Sequence, residues 1–201
     1  LRPYYEHGGI TIYHGDCRDL LPEVSYGCIL TDPPYGIGAC AGIGKYGRLR
    51  ITKESAKWDQ TVADLSHLTD VPSIVWGGNY FPLKPSRMFL IWDKGAGFTG
   101  RDFAECEQAW CSWDGNARIF RRDPLAAGDY IGKQHPTEKP LPLLIWCLSF
   151  LPLGRVCDPY MGSGTTLIAA KSQRRLAVGI EREERYCEIA AKRLAQEVLP
   201  L

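Results

Sequence analysis

The chain has 201 residues, 45% of them hydrophobic, which suits a single domain with a substantial core. Its formal net charge of +1 gives no global field for a polyanion, so any such partner must be met by local basic patches. Eight cysteines occur without a C-x-x-C pair or a zinc-like set with histidines, which predicts free, mostly buried thiols in a reducing cytoplasm and no metal site. The first residues lack the apolar core of a secretory signal. The longest apolar stretch, residues 141–153, is interrupted by prolines and too short to span a bilayer, so no membrane partner is expected. The chain begins at Leu1 and not at a methionine, which leaves room for residues upstream.

In chain order, Ile10-Thr11-Ile12-Tyr13-His14 alternates, is rich in β-branched residues, and meets Gly15-Asp16, so it reads as a strand ending in a turn. Leu20-Leu21 fall on a short helical piece before Pro22. Cys28-Ile29-Leu30-Thr31 is a brief apolar run of the kind buried on both faces of a sheet. Further strands are expected at residues 73–76, 88–92, 108–113, 117–121, 156–157 and 176–180. Thr137 is the expected cap of a helix whose first turn holds Pro140 or Pro142 and whose body is apolar nearly all round, hence buried against a sheet. A second helix should follow over residues 165–172. A third, over 183–198, carries Tyr186, Ile189, Ala190 and Leu194 on one face with charges opposite. Strands alternating with helices predict an α/β layered fold with a mainly parallel sheet.

One segment breaks the alternation. Residues 36–59 hold glycines at 36, 38, 42, 44 and 47, and the basic residues Lys45, Arg48, Arg50, Lys53 and Lys57 outnumber the single acid Glu54 between 45 and 57. The pattern predicts a mobile, basic loop placed to grip an anionic substrate. It directly follows Asp32-Pro33-Pro34-Tyr35, which puts a carboxylate, two proline carbonyls and an aromatic ring at the end of a strand.

A second strand-to-helix turn, Asp158-Pro159-Tyr160-Met161-Gly162-Ser163-Gly164-Thr165-Thr166, has the makings of a cofactor site. Asp158 stands at the strand end, Thr165 and Thr166 bring hydroxyls and amide donors to a helix N-terminus, and Glu181 ends the next strand where an acid can bond a ribose. No lysine follows the glycines, so a phosphate-binding P-loop is excluded. The third glycine of a dinucleotide site is missing as well.

Taken together and in this order, these motifs resemble those of the S-adenosylmethionine-dependent DNA amino-methyltransferases of the permuted β class, over nearly the whole chain. His14-Gly15-Asp16-Cys17 is similar to the turn that in such enzymes contacts the cofactor adenine. Thr31 to Tyr35 is similar to the catalytic motif, and Glu181 to the ribose-binding acid. His135-Pro136-Thr137-Glu138-Lys139-Pro140 is similar to the segment lining the methionine end. Tyr160 replaces the more usual phenylalanine before the glycines. The resemblance implies S-adenosyl-L-methionine as cofactor, double-stranded DNA as partner and a bacterial or phage-type host. It also implies a Rossmann-like sheet of seven strands with one antiparallel, helices on both faces, and a catalytic half (1–134) preceding a cofactor half (135–201). The cofactor residues it implies are Asp16, Cys17, Thr31, Asp32, His135, Thr137, Lys139, Asp158, Pro159, Tyr160, Gly162, Gly164, Thr165, Thr166 and Glu181.

The catalytic chemistry expected of Asp32-Pro33-Pro34-Tyr35 follows from the substrate. An exocyclic amine on a nucleobase is a poor nucleophile because its lone pair is delocalised into the ring. Acceptance of its two hydrogens by Asp32 and the Pro33 carbonyl favours a pyramidal nitrogen with the lone pair aimed at the methyl donor. The prolines stiffen the turn, and Tyr35 is expected to stack on a base withdrawn from the duplex. Aspartate at the first motif position leans towards adenine N6, with cytosine N4 the alternative. Cytosine C5 methylation is disfavoured because no cysteine follows a proline. An RNA amino-methyltransferase or an inactive nucleic-acid-binding relative also stays open. Trp76-Gly77-Gly78-Asn79-Tyr80 either walls the base pocket or packs in the core. Base recognition falls to residues 36–59, 98–105 and 114–133, so the recognition site is short or grip depends on a homodimer.

Overall fold

The computed structural model describes residues 1–36, 62–65, 68, 71–101, 104–129 and 138–196. Nine strands in that set build one sheet: β1 (Tyr5–His7), β2 (Ile10–His14), β3 (Cys28–Thr31), β4 (Ser73–Trp76), β5 (Phe89–Asp93), β6 (Cys106–Cys111), β7 (Arg118–Arg121), β8 (Val156–Asp158) and β9 (Ala177–Glu181). The helices are α1 (Cys17–Leu20), α2 (Leu141–Leu148), α3 (Thr165–Ser172) and α4 (Glu184–Ala195). No helix among the described residues is long and apolar enough to cross a membrane.

The strand order is β1-β2-β9-β8-β3-β4-β6-β5-β7. Parallel pairings join β2 to β9, β9 to β8, β8 to β3, β3 to β4, and β5 to β7. β1 runs antiparallel along β2, and β6 lies antiparallel between β4 and β5. Seven strands therefore share one direction and two oppose them. This corrects the expected count of seven strands with one antiparallel. Of the two strands beyond that count, one is β1, a three-residue, largely exposed edge whose tyrosine, glutamate and histidine carry no hydrophobic pattern. Its sequence signal was Gly8-Gly9, whose φ values of 58° and 80° make the tight turn into β2.

β3, β4 and β8 are buried at every position, as strands covered on both faces must be. On one face, Ile10, Ile12, Leu30, Ile74 and Leu90 pack with Leu143 and Leu144 of α2, Leu167 of α3, and Ala190 and Leu194 of α4. On the other, Ile29, Val75, Cys157, Val178 and Ile180 pack beneath Cys17, Leu21, Val24, Leu65, Leu68 and Phe81. α2 begins at Leu141 with Pro140 in the cap position; Thr137 lies outside the described residues. Its surface is less uniformly buried than its composition suggests, because Ile145 and Trp146 stay half-buried, Trp146 resting on Phe120 and Phe150. All seven described cysteines are free thiols, and only Cys106 among them is exposed.

From β3 the chain moves across the sheet to β4, whereas β8 leads to β9 on the opposite side. The β3–β8 boundary is thus a switch point, and at such points parallel sheets open a crevice beyond their strand ends. The carboxyl ends of β2, β3, β4, β5, β8 and β9 bring Asp16, Asp32, Trp76, Lys94, Asp158 and Glu181 to this one edge. β6 brings Glu107 there from the opposite direction, opposite Trp92 in register.

α3 fixes the glycine-rich turn to the sheet, chiefly through Leu167, which has no exposed surface. Leu167→Ala should cost about 2–5 kcal/mol of unfolding free energy. Urea denaturation should show a lower midpoint at unchanged slope; an unchanged midpoint would mean that α3 is anchored elsewhere.

Candidate active site

Thr31 closes β3 with its hydroxyl buried, donating to Asp158 Oδ1 at 2.8 Å across the β3–β8 boundary. Tyr160 N donates to the same oxygen at 3.2 Å, which turns the chain towards Gly162. Burial pushes the Asp158 carboxyl up to about 6, even though bonds from Thr166, Thr31 and Tyr160 favour its charged form. Gly164, at φ 82°, caps α3 where a Cβ would meet Ala190 at 2.8 Å, so the close approach of α4 requires glycine there.

Two cavities meet at this edge. An inner one of about 60 Å³ is lined by Thr31, Asp32, Trp76, Lys139, Asp158, Tyr160, Gly162, Thr165 and Thr166, among others. An outer one of about 450 Å³ is lined by Asp16, Cys17, Asp32, Pro34, Pro159, Tyr160, Gly162 and Glu181, and by Asp64 and Tyr186 from flanking segments. Asp32, Tyr160 and Gly162 belong to both. The catalytic carboxylate and the glycine turn expected from sequence therefore stand on a shared wall. Pro33, Tyr35 and Gly164 line neither cavity.

In the outer cavity, Glu181 accepts from Gly162 N at 3.0 Å and from Glu183 N at 2.8 Å. Burial raises its carboxyl above the ordinary value against these bonds. The carboxylate keeps acceptor capacity for a further donor. Asp16 caps α1 by accepting from Arg18 N at 3.0 Å, and the Arg18 side chain holds the Asp16 carboxyl down to about 2. In the inner cavity, the buried Nε1 of Trp76 has no hydrogen-bond partner among the described residues, an arrangement that is costly unless an acceptor arrives.

Around Asp32 the structure adds partners that the sequence did not announce. Lys139 Nζ donates to Asp32 Oδ2 at 2.6 Å, and the Tyr35 hydroxyl donates to Oδ1. Burial opposes charge on Lys139, but Asp32 and Glu107 outweigh it and hold the ammonium well above its usual value. The Tyr35 ring, expected to stack on a base, instead lies parallel to Tyr80 at 4.9 Å and edge-on to Phe81 at 6.1 Å. Gly77, at φ 65°, lets that ring sit over the backbone, since a Cβ there would fall 2.3 Å from it. Ala63 N donates to the Pro34 carbonyl at 3.3 Å, while the carbonyl of buried Pro33 meets no donor among the described residues.

A family model described as DNA methylase, of the N6/N4 type, matches residues 53–192. The chain belongs to this family. The type II methyltransferase M.ScaI of Streptomyces caespitosus is 25% identical over an alignment of 272 residues that covers 100% of this chain and 86% of that protein. Among solved structures, M1.HpyAVI in complex with SAM aligns with a TM-score of 0.59 at 22% identity, covering 93% of this chain and 100% of that one. The PvuII DNA methyltransferase, described as cytosine-N4-specific, aligns with a TM-score of 0.60 at 18% identity, covering 98% and 90%. These two likenesses concern the fold.

For this methylase, the candidates Lys45, Arg48, Arg50, Lys53 and Lys57, and the cofactor candidates His135 and Thr137, lie outside the described residues. Residues at the site that sequence reasoning passed over include Glu138, which accepts from Thr165 Oγ1 at 3.0 Å and from Arg193 Nη2 at 2.6 Å, tying α3 and α4 to the entry of α2. Its signal was its place inside His-Pro-Thr-Glu-Lys-Pro. Glu107 and Lys94 were also missed; their signal was a charge set at the end of an otherwise apolar strand.

The elevated Asp158 carboxyl has a measurable consequence. The native state holds this proton up to about pH 6, whereas an unfolded aspartate releases it near pH ~3.9. Between these values the native state binds more protons, so Asp158 makes stability fall as pH rises from about 4 to about 6. Asp158→Asn keeps an acceptor for Thr31 and Tyr160 and removes the penalty. Its melting temperature should exceed wild type at pH 8 and lose most of the decline between pH 4 and 6; a wild-type profile would contradict the assignment.

Proposed function

We propose that the protein moves a methyl group from S-adenosyl-L-methionine to the N6 amine of an adenine withdrawn from double-stranded DNA. The observation that carries this reading is the wall shared by the two cavities, where Asp32 stands beside the Asp158–Gly162 turn. When bound, the cofactor supplies a sulfonium-activated methyl group. The chain's donors and acceptors fit it: Glu181 suits ribose hydroxyls, Asp16 and Cys17 border the adenine side, and Asp158, Gly162, Thr165 and Thr166 line the narrower end. The Trp76 N–H, which has no partner among the described residues, suits a carboxylate there. By resemblance, His135 and Thr137 complete that end.

On the DNA side, Asp32 and the Pro33 carbonyl accept the two amine hydrogens and concentrate the lone pair on nitrogen. The Pro33 carbonyl, which meets no donor among the described residues, supports this role, since a buried acceptor without a donor is uncommon. Tyr35 holds Asp32 in place through its hydroxyl, and Tyr80, which is 44% exposed, offers the base an aromatic surface instead. Asp32 stabilises the positive charge that grows on the amine as its bond to carbon forms. The rest of the rate gain comes from holding donor and acceptor in line. Lys45, Arg48, Arg50, Lys53 and Lys57 grip the DNA backbone in this reading. Adenine is preferred over cytosine because the motif begins with aspartate, although the same clamp serves either amine.

Asp32→Ala should bind the cofactor within a few-fold of wild type by calorimetry and lose methyl transfer by about a hundredfold or more. Full activity would remove Asp32 from the mechanism. Nucleoside analysis of the methylated DNA should find N6-methyladenine; N4-methylcytosine would move the target to cytosine, and label entering only RNA or peptide would end the DNA assignment.

A further inference from the structure

Four side chains of alternating charge run along the edge of the sheet and end on Asp32. Lys94 Nζ lies 2.6 Å from Glu107 Oε1, Glu107 Oε2 lies 3.1 Å from Lys139 Nζ, and Lys139 Nζ lies 2.6 Å from Asp32 Oδ2. The two ammonium side chains are almost wholly enclosed, at 8% exposure for Lys94 and 6% for Lys139. Aromatic faces wall them in: Lys94 lies over Trp92 and Phe98 at 5.2 and 5.3 Å, and Lys139 over Trp76 at 5.3 Å. Enclosing two ammonium groups beside partly covered carboxylates is a poor way to gain stability, because desolvation offsets most of their attraction. The chain is better explained by what it does to its last member.

We propose that Glu107 and Lys94 are positioning residues for methyl transfer, acting through Lys139 to keep Asp32 aimed at and available to the amine. The proposal rests on the reading that Asp32 accepts the amine hydrogens. Lys139 alone would largely cancel the charge of Asp32. Glu107 offers Lys139 a second anion, which fixes where the ammonium sits and draws its field away from the substrate. Lys94 in turn balances Glu107, so the four charges sum to zero. Burial disfavours the ionised Glu107, yet Lys139 and Lys94 outweigh it and hold the carboxyl down to about 2, so it stays an anion throughout the working range. Lys139 is faced by Asp32, Glu107, the Tyr35 hydroxyl and the Cys147 thiol of α2, the last two driven well above their ordinary values chiefly by burial. Of these, Asp32 and Glu107 are the anions that keep Lys139 protonated.

The test uses the full chain, labelled S-adenosylmethionine and duplex DNA in single turnover across pH 6–10. Glu107→Gln should lower the transfer rate by about tenfold or more at saturating cofactor and DNA, with cofactor Kd within twofold of wild type. Its rate should also fall off at a lower alkaline pH, because Lys139 has lost one of its two anions. Glu107→Asp, which keeps the charge, should restore the alkaline limb. Should Glu107→Gln fold poorly, the pair Lys94→Met with Glu107→Gln removes one charge of each sign and should still show the rate defect. Wild-type rates and pH profile in Glu107→Gln, or in the paired variant if the single one does not fold, would overturn the positioning role while leaving the methyltransferase reading intact. A wild-type protein unable to methylate DNA would overturn both.

Discussion

The hydrogen bond from Thr31 to Asp158 does more than close a strand end. It joins the two elements that the Asp-Pro-Pro-Tyr and glycine-rich motifs grow from, at the place where the sheet's connections part. With β3 and β8 held side by side and buried throughout, Asp32 and Gly162 cannot drift apart without breaking the centre of the sheet. Every functional contact at the mouth, from Glu181 on one side to Glu107 on the other, is measured from that fixed pair. Rigid strands that present reactive groups at their ends limit the reorganisation needed when charge moves during reaction.

The same edge carries an unusual density of carboxylates: Asp16, Asp32, Glu107, Asp158 and Glu181. Each is held differently. Arg18 stabilises the charge of Asp16, Lys139 and Lys94 that of Glu107, and backbone amides reach Glu181. Asp158 is enclosed, and burial pushes its carboxyl up to about 6. A crevice tuned this way suits a ligand that brings positive charge and hydroxyls together.

Much of this was legible in the sequence because the core strands are apolar runs bounded by turn residues, and because Asp32-Pro33-Pro34-Tyr35 and Asp158 to Thr166 are local patterns. Glu181 could be placed because it closes a strand one helix later. What escaped was non-local. The pairing of Lys139 with Asp32 spans 107 residues, and nothing around either one names the other. Glu107 and Lys94 meet because β5 and β6 run antiparallel, a fact of topology that neither strand's pattern encodes. The Asp-Pro-Pro-Tyr motif offers the Tyr35 ring as a stacking face for a base, and nothing local to it shows Tyr80, which stacks on that ring beside a turn where Gly77 leaves room for it. The short polar strand β1 was invisible to any test of hydrophobic period.

The sheet order has a consequence for how the protein comes into being. β2 pairs with β9, Ile10 against Ala177, so one wall of the outer cavity unites residues from opposite ends of the chain. During synthesis on the ribosome, β2 must wait, unpaired along one side, until β9 has emerged. Contacts so distant along the chain slow folding and prolong exposure of strand edges. A nascent chain of this protein would thus complete this crevice late, only once β9 has emerged to pair with β2.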